Sequence, residues 1–408
     1  MVRKFLLVFC FLLFGCLYDS PNFQESDYLP LNDSDYPYSS LPRLVIETKD
    51  FKEVRDRENY KQAFLQIYEE KNPLSEIYDL EIRGRGHSSF TDFLKFGYRL
   101  KFKEKVSLFD MPKNKDWVLL PNFADKTLIK NKLTFELAKN LNAPYAPRSE
   151  FVELYVNREY LGVYQLTEKI EVAKDKVNIP KKENSFLVEI DHKYSSQDEV
   201  IFSSHFNLPL HIHSPDTPSD SSKRILKNFM NSFENYLSSE KEYSMNELEK
   251  WIDLESYIRY YWIQEFSKNV DGAFGSSVYF TWFEGSQLNM GPVWDFDIAY
   301  GGAHEINPKG WYVRNHAWNS LLFSDKNFNI KVKEYWQNHK AEFIAMIDSV
   351  DVWSKNLEHA ANNNFKRWPV LESTESWAHN ESVSSYKEAN EILKAWLKTR
   401  YLWIEENL

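Results

Sequence analysis

Gly291-Pro-Val-Trp-Asp-Phe-Asp-Ile-Ala-Tyr-Gly-Gly302 is the stretch on which the reading of this chain turns. It sets Asp295 and Asp297 two residues apart, among Trp294, Phe296 and Ile298. In an extended chain that spacing puts both carboxylates on one side. Unpaired charges among apolar side chains are costly. A divalent cation bound through oxygen ligands removes that cost, and a salt bridge to Arg or Lys is the plainer alternative.

Upstream, Asn269-Val-Asp271-Gly272 closes a long helical pattern that contains Trp251, Tyr257 and Trp262. Ser276 and Ser277 follow, then a strand from Val278 to Trp282. An Asp held at a helix end beside Gly suits an exposed, positioned carboxylate; a simple turn explains the pair equally well. Further upstream, Arg83-Gly-Arg-Gly-His-Ser-Ser89 follows a strand and precedes Lys95. The backbone N–H groups of such a turn, around Gly84, Gly86 and Ser88, can cradle phosphate oxygens. Arg83, Arg85 and Lys95 would add positive charge, although basic turns are common on surfaces. The chain has only 12 glycines in 408 residues, under half the usual share of about 7%. Half of them fall at 84/86, 272/275 and 301/302, where close backbone approach to a ligand is open to glycine.

Periodicity assigns strands to 44–48, 78–83, 97–103, 117–120 and 186–190, and a hairpin to 151–156 and 161–167. A helix is predicted over 125–141, with Asp125 as its cap. Residues 204–222 read as a loop between two lobes. Beyond it, 223–238, 245–268, 327–364 and 384–406 read as helices, and only 276–297 returns to strand. The expected fold is α+β, a β-rich N-terminal lobe (about 46–200) followed by a helical C-terminal lobe (about 201–408).

The N-terminus carries Arg3 and Lys4, then an apolar run from Phe5 to Phe14. That run is far short of the roughly 20 residues of a membrane span and reads as an export signal. Leu13-Phe-Gly-Cys16 is similar to a lipobox, with Phe14 where Ala or Ser is usual. The expectation is a lipoprotein signal over 1–16, a lipid on Cys16, a flexible tether over 17–45, and a membrane-anchored, extracytoplasmic protein of a bacterial envelope or surface. Cys10 and Cys16 are the two cysteines, so removal of the signal leaves no thiol for a disulfide. A net charge of −10 argues against a nucleic-acid partner.

The order Gly-rich turn, Lys, Asp, Asp-Phe is that of protein kinases, without His-Arg-Asp, Asp-Phe-Gly or Ala-Pro-Glu. The chain resembles the CotH family, atypical kinases named for a spore-coat protein. The resemblance rests on Ile82 to Ser89 with Lys95 and Tyr98-Arg-Leu-Lys-Phe102; on Trp117-Val-Leu-Leu120, Asp125 and Asn131-Lys-Leu133; on Val152 to Tyr164 with Glu168; and on Asn269-Val-Asp271 with Trp294-Asp-Phe-Asp297. The ending Leu393 to Trp403 is similar too, so the resemblance covers about residues 78–406. It implies a two-lobed kinase-like fold, ATP with Mg²⁺ or Mn²⁺, and phosphorylation of Ser or Thr on an exported or surface protein. By position, Arg83, Gly84, Arg85, Gly86 and Ser88 would line the nucleotide. Lys95 would hold its α/β-phosphates, paired with Glu168. Asp271 would be the catalytic Asp, and Asp295 and Asp297 metal ligands. Ser276 stands where the family usually has a metal-binding Asn, and Lys130 where it has Arg. The first departure leaves open a non-catalytic surface or binding protein on the same scaffold. A hydrolase using Asp271, Asp295 and Asp297 as acid and base, and a zinc site at His211-Ile-His213, are further alternatives.

Overall fold

Inward-facing apolar residues at every second position close the first half of the chain into a barrel. In the computed structural model the described residues are 34–69, 76–194, 200–239, 242–302, 306–374, 378–379 and 381–408. The signal, Cys10, Cys16 and most of the expected tether lie outside them. The barrel strands are β1 (Arg43–Thr48), β2 (Lys61–Tyr68), β3 (Tyr78–Arg85), β4 (Gly97–Val106), β5 (Asn114–Leu120), β6 (Ser149–Val156) and β7 (Glu159–Glu168). The one-turn helix α1 (Ser88–Thr91) joins β3 to β4, and α2 (Lys130–Asn140) lies between β5 and β6. Around the barrel the order is β1-β2-β3-β4-β5-β7-β6. A parallel pairing of β1 with β6, Arg43 opposite Glu153, completes it, and closure removes exposed strand edges. Leu44, Ile46, Leu80, Ile82, Leu100, Phe102, Trp117 and Leu154 fill the interior. The β6–β7 hairpin turns on Asn157 and Arg158, at φ 50° and 67°. Two consecutive left-handed residues match the twist of the flanking strands.

The helix predicted from 125 begins instead at Lys130. Asp125 does act at its start: its carboxylate accepts the Thr127 N–H at 2.8 Å and the Lys130 N–H at 2.9 Å.

A second sheet, all antiparallel, is ordered β12-β11-β8-β10-β9. Its strands are β8 (Ser185–Ile190), β9 (Ile201–Phe202), β10 (Pro209–Ser214), β11 (Val278–Phe283) and β12 (Asn289–Met290). Ile190 of β8 faces Leu210 on one side and Val278 on the other. The expected loop over 204–222 is therefore corrected. Its middle is β10 and its end opens α3 (Asp220–Ser239). The sheet also draws strands from both sides of residue 200, where a lobe boundary was expected, and Tyr38–Leu408 form one compact unit.

The remaining helices are α4 (Met245–Leu248), α5 (Leu254–Ser267), α6 (Ala317–Leu322), α7 (Lys326–Arg367) and α8 (Tyr386–Asn407). The single helix expected over 245–268 is split because Asp253 caps a new start by accepting the Ser256 N–H at 2.7 Å. Lys268, at φ 45°, ends α5 in the left-handed conformation common at helix C-termini. All of α5 except Glu255 is buried, so it is the axis around which the second half packs.

Candidate active site

The end of α5 presents the loop 269–277. The backbone carbonyl of Asp271 accepts N–H bonds from Gly275 and Ser276, both at 2.9 Å, which fixes a tight turn. Close by runs the acidic stretch. Asp295 sits at φ 67°, a strained conformation for a residue with a Cβ. The chain is thus bent and not extended as the spacing suggested. Asp295 and Asp297 nonetheless line one cavity of about 360 Å³. Their backbone is clamped from α2. The Asn131 side chain accepts the Phe296 N–H at 2.8 Å, and Lys130 Nζ donates to the Asp297 carbonyl at 3.2 Å. Asn269 donates to the Asp295 carbonyl at 3.3 Å, and Ser277 Oγ to the Asp295 carboxylate at 3.4 Å. Asn131, which the resemblance includes, and Lys130, which stands where the family usually has Arg, thus both brace the acidic stretch.

The two carboxylates have pKa values pushed above the ordinary carboxylate range. For Asp295 the causes are burial and then the charge of Asp271; for Asp297 they are burial and then the charges of Asp295 and Asp125. Burial and the neighbouring carboxylates oppose ionisation of the pair, and a bound cation would relieve that. Among the described residues no group of three or more His, Cys, Asp or Glu is arranged to hold a metal. Of the lining residues, Asp295 and Asp297 are the pair that could hold a metal.

Basic residues line the same cavity. Arg83, Arg85, Gly86, Ser89, Arg99 and Lys169 all line it. Gly86 takes φ 115°, and a Cβ there would meet Ser89 Oγ at 2.3 Å, so the turn demands glycine. Arg99 is held by Asp116 through bonds of 3.1 and 2.6 Å. The Arg85 guanidinium lies 5.5 Å from the Trp294 ring centroid. Burial lowers the pKa of both Arg85 and Lys169, and neither gains a hydrogen-bonded partner among the described residues. Desolvated cations with unused donors suit an anionic ligand.

Several expectations are corrected. Lys95 does not reach the cavity. Its side chain is only 1% exposed, and Nζ donates to the Val163 carbonyl at 2.6 Å and to Asn364 Oδ1 at 2.9 Å. It is a strut between the barrel and α7, and burial lowers its pKa well below the usual lysine value. Glu168 does not pair with Lys95; it is buried against Arg148 at 2.6 Å. Gly84 and Ser88 are absent from the cavity wall, and Gly84 packs on Phe90. Asp271 stands beside the cavity and reaches it through Lys193, whose Nζ lies 3.1 Å from Asp271 Oδ2. Ser276 lines the cavity, with its hydroxyl donating to Asp191 at 2.9 Å. His211 and His213 spend Nε2 on β8 and its end, on the Asp191 carbonyl and the Glu189 carboxylate.

Arg99, Lys169, Glu189, Asp191 and Lys193 were not singled out from the sequence, yet all five line the cavity. A signal existed for two of them. Arg99 alternates with buried Tyr98 and Leu100, and Asp191 ends the apolar strand β8.

A basic turn and two clamped aspartates thus line a single cavity. The family model described as CotH kinase protein matches residues 80–404, and the chain belongs to the CotH family. No curated protein matches the chain.

Proposed function

We propose that the chain is an atypical protein kinase, transferring the γ-phosphate of ATP to Ser or Thr of an exported or surface protein. In this reading the barrel is the N-terminal lobe and the helical remainder the C-terminal lobe of a kinase-like fold. The observation that carries it is the composition of one cavity, which Arg85 and Lys169 line together with Asp295 and Asp297. Triphosphate with a divalent cation matches both kinds of group at once. Mg²⁺ or Mn²⁺ would sit on Asp295 and Asp297 and offset charge that develops on the transferred group. Arg85, Lys169 and the N–H groups around Gly86 would hold phosphate oxygens. Asp271 would orient the acceptor hydroxyl and take its proton. ATP with Mn²⁺ should raise the melting temperature of the purified chain. Radiolabelled transfer should then appear and vanish in Asp271→Ala. No nucleotide-dependent shift sinks the reading.

A non-catalytic use of the scaffold is favoured by one feature: Ser276 replaces a stronger metal ligand, and its hydroxyl is engaged by Asp191. Metal-dependent nucleotide binding without transfer to any protein would select it.

The export reading is likewise proposed. Cys16 would carry diacylglycerol after cleavage of 1–16, tethering the protein to an envelope membrane. Cells expressing the chain should incorporate labelled palmitate into it, and Cys16→Ser should abolish the label. Incorporation that persists in Cys16→Ser overturns the lipobox.

A further inference from the structure

We propose that Lys193 holds the carboxylate of Asp271 and, when nucleotide is bound, grips its terminal phosphate. The inference rests on the phosphotransfer reading above. Lys193 lies far from Asp271 in sequence, on the segment that leaves β8, and it comes from no motif of the resemblance.

That segment is fastened to the 269–277 loop at three points. The His192 N–H donates to the Gly275 carbonyl at 2.9 Å. Ser276 Oγ donates to Asp191 Oδ1 at 2.9 Å. Lys193 Nζ donates to Asp271 Oδ2 at 3.1 Å. Asp191 Oδ1 also accepts the Lys193 N–H at 2.8 Å, so it orients the backbone from which Lys193 extends. Ser276 therefore has a use of its own: it docks the strap that delivers a cation to Asp271.

The placement points to phosphate. An acceptor hydroxyl on Asp271 must stand in line with the transferring phosphorus. A cation bonded to Asp271 and lining the cavity of Asp295 is then beside that phosphorus. An ammonium has three donors, and Asp271 uses one of them. The side chain is 37% exposed, so the ammonium has room to engage a ligand. Burial opposes its charge, but Asp271 and Asp295 outweigh burial and raise its pKa, keeping it cationic as a phosphate contact requires.

The test compares ATP and ADP, each with Mn²⁺, on the purified full chain and on Lys193→Met and Lys193→Arg, by thermal shift and calorimetric titration. ADP lacks the terminal phosphate. Lys193→Met should weaken ATP by about tenfold, the scale of one charge-assisted contact, and leave ADP within about twofold. Lys193→Arg should restore most of the ATP preference. If Lys193→Met keeps the preference for ATP over ADP, the role of Lys193 is overturned and the nucleotide reading stands. If the unsubstituted chain binds neither nucleotide, both fail together. Melting of each variant without ligand separates misfolding from lost contact. Should Lys193→Met not fold, Lys193→Gln carries the same comparison.

Discussion

Ionising Asp295 and Asp297 in the metal-free fold is costly. Their folded pKa values are raised, first by burial and then by neighbouring carboxylates, whereas in the unfolded chain they titrate near 3.8. Between the unfolded and folded values the native state binds more protons, so metal-free stability falls as pH rises through that window. With a chelator present, the chain should melt higher at pH 5 than at pH 8. Asp297→Asn should flatten that slope, and excess Mn²⁺ should restore stability at pH 8 in the unsubstituted chain only. Equal melting at both pH values would contradict the raised pKa values of the two carboxyls. Lys95 gives the opposite kind of residue. The Lys→Ala change removes one donor from Asn364 Oδ1, which keeps the Val163 N–H at 3.1 Å, and one from the Val163 carbonyl, and it empties a buried space; the cost should be about 2–4 kcal/mol, readable by urea titration. ATP affinity should be unchanged, because Nζ is turned away from the cavity toward α7. A specific loss of ATP binding in a folded Lys95→Ala would return Lys95 to the site.

Elements explain where that residue-level reading failed. A lysine before a strand, after a Gly-rich turn, resembles a phosphate-binding lysine in one dimension. Its true partner, Asn364, is 269 positions away near the end of α7, and no local pattern reports a contact of that range. The barrel strands and long helices were legible because period 2 and period 3.6 are set by burial within each element. β10 was missed because Pro209, His211 and His213 interrupt its apolar pattern, and the break at Asp253 because a capping Asp lies between two apolar runs. The docking of α7 on β7 carries its own prediction. Gly162 sits at φ 93°, and a Cβ there would approach Asn364 Oδ1 to 2.5 Å and Trp368 Nε1 to 3.2 Å. Gly162→Ala should therefore cost about 1–3 kcal/mol from overpacking and backbone strain. It should also loosen the Lys95–Asn364 bond, so its cost and that of Asn364→Ala should be less than additive in urea titrations. Full additivity would mean that the two positions do not share a contact.

Across the whole molecule, the acidic half of the site was legible because its carboxylates come as one short motif, and the basic half was only partly so. Arg85 comes from the end of β3 and Gly86 from the turn after it, Arg99 from β4, Lys169 from just after β7, and Lys193 from just after β8. Barrel closure and the second sheet bring these separate positions together. The C-terminus takes part in this assembly through α8. Arg400, fully buried, donates to the Glu265 carboxylate at 2.7 Å and to the Glu265 carbonyl at 2.8 Å. It also donates to the carbonyls of Pro308 and Gly310. Glu265 accepts the Tyr312 and Arg314 N–H groups, both at 2.9 Å. One ion pair thus joins α8, α5 and the segment beyond the acidic stretch, six residues before Asp271. Burial raises the pKa of Glu265 while Arg400 opposes the rise, so removing the arginine alone leaves a costly buried charge. Arg400→Met should lose about 3–5 kcal/mol of stability. Glu265→Gln in the same chain removes that charge but retains an acceptor for the backbone, so the double variant should be more stable than Arg400→Met by itself. Urea titration of the four chains decides the point. If the double variant is the least stable of them, the penalty lies in lost packing of α8 and not in the stranded carboxylate.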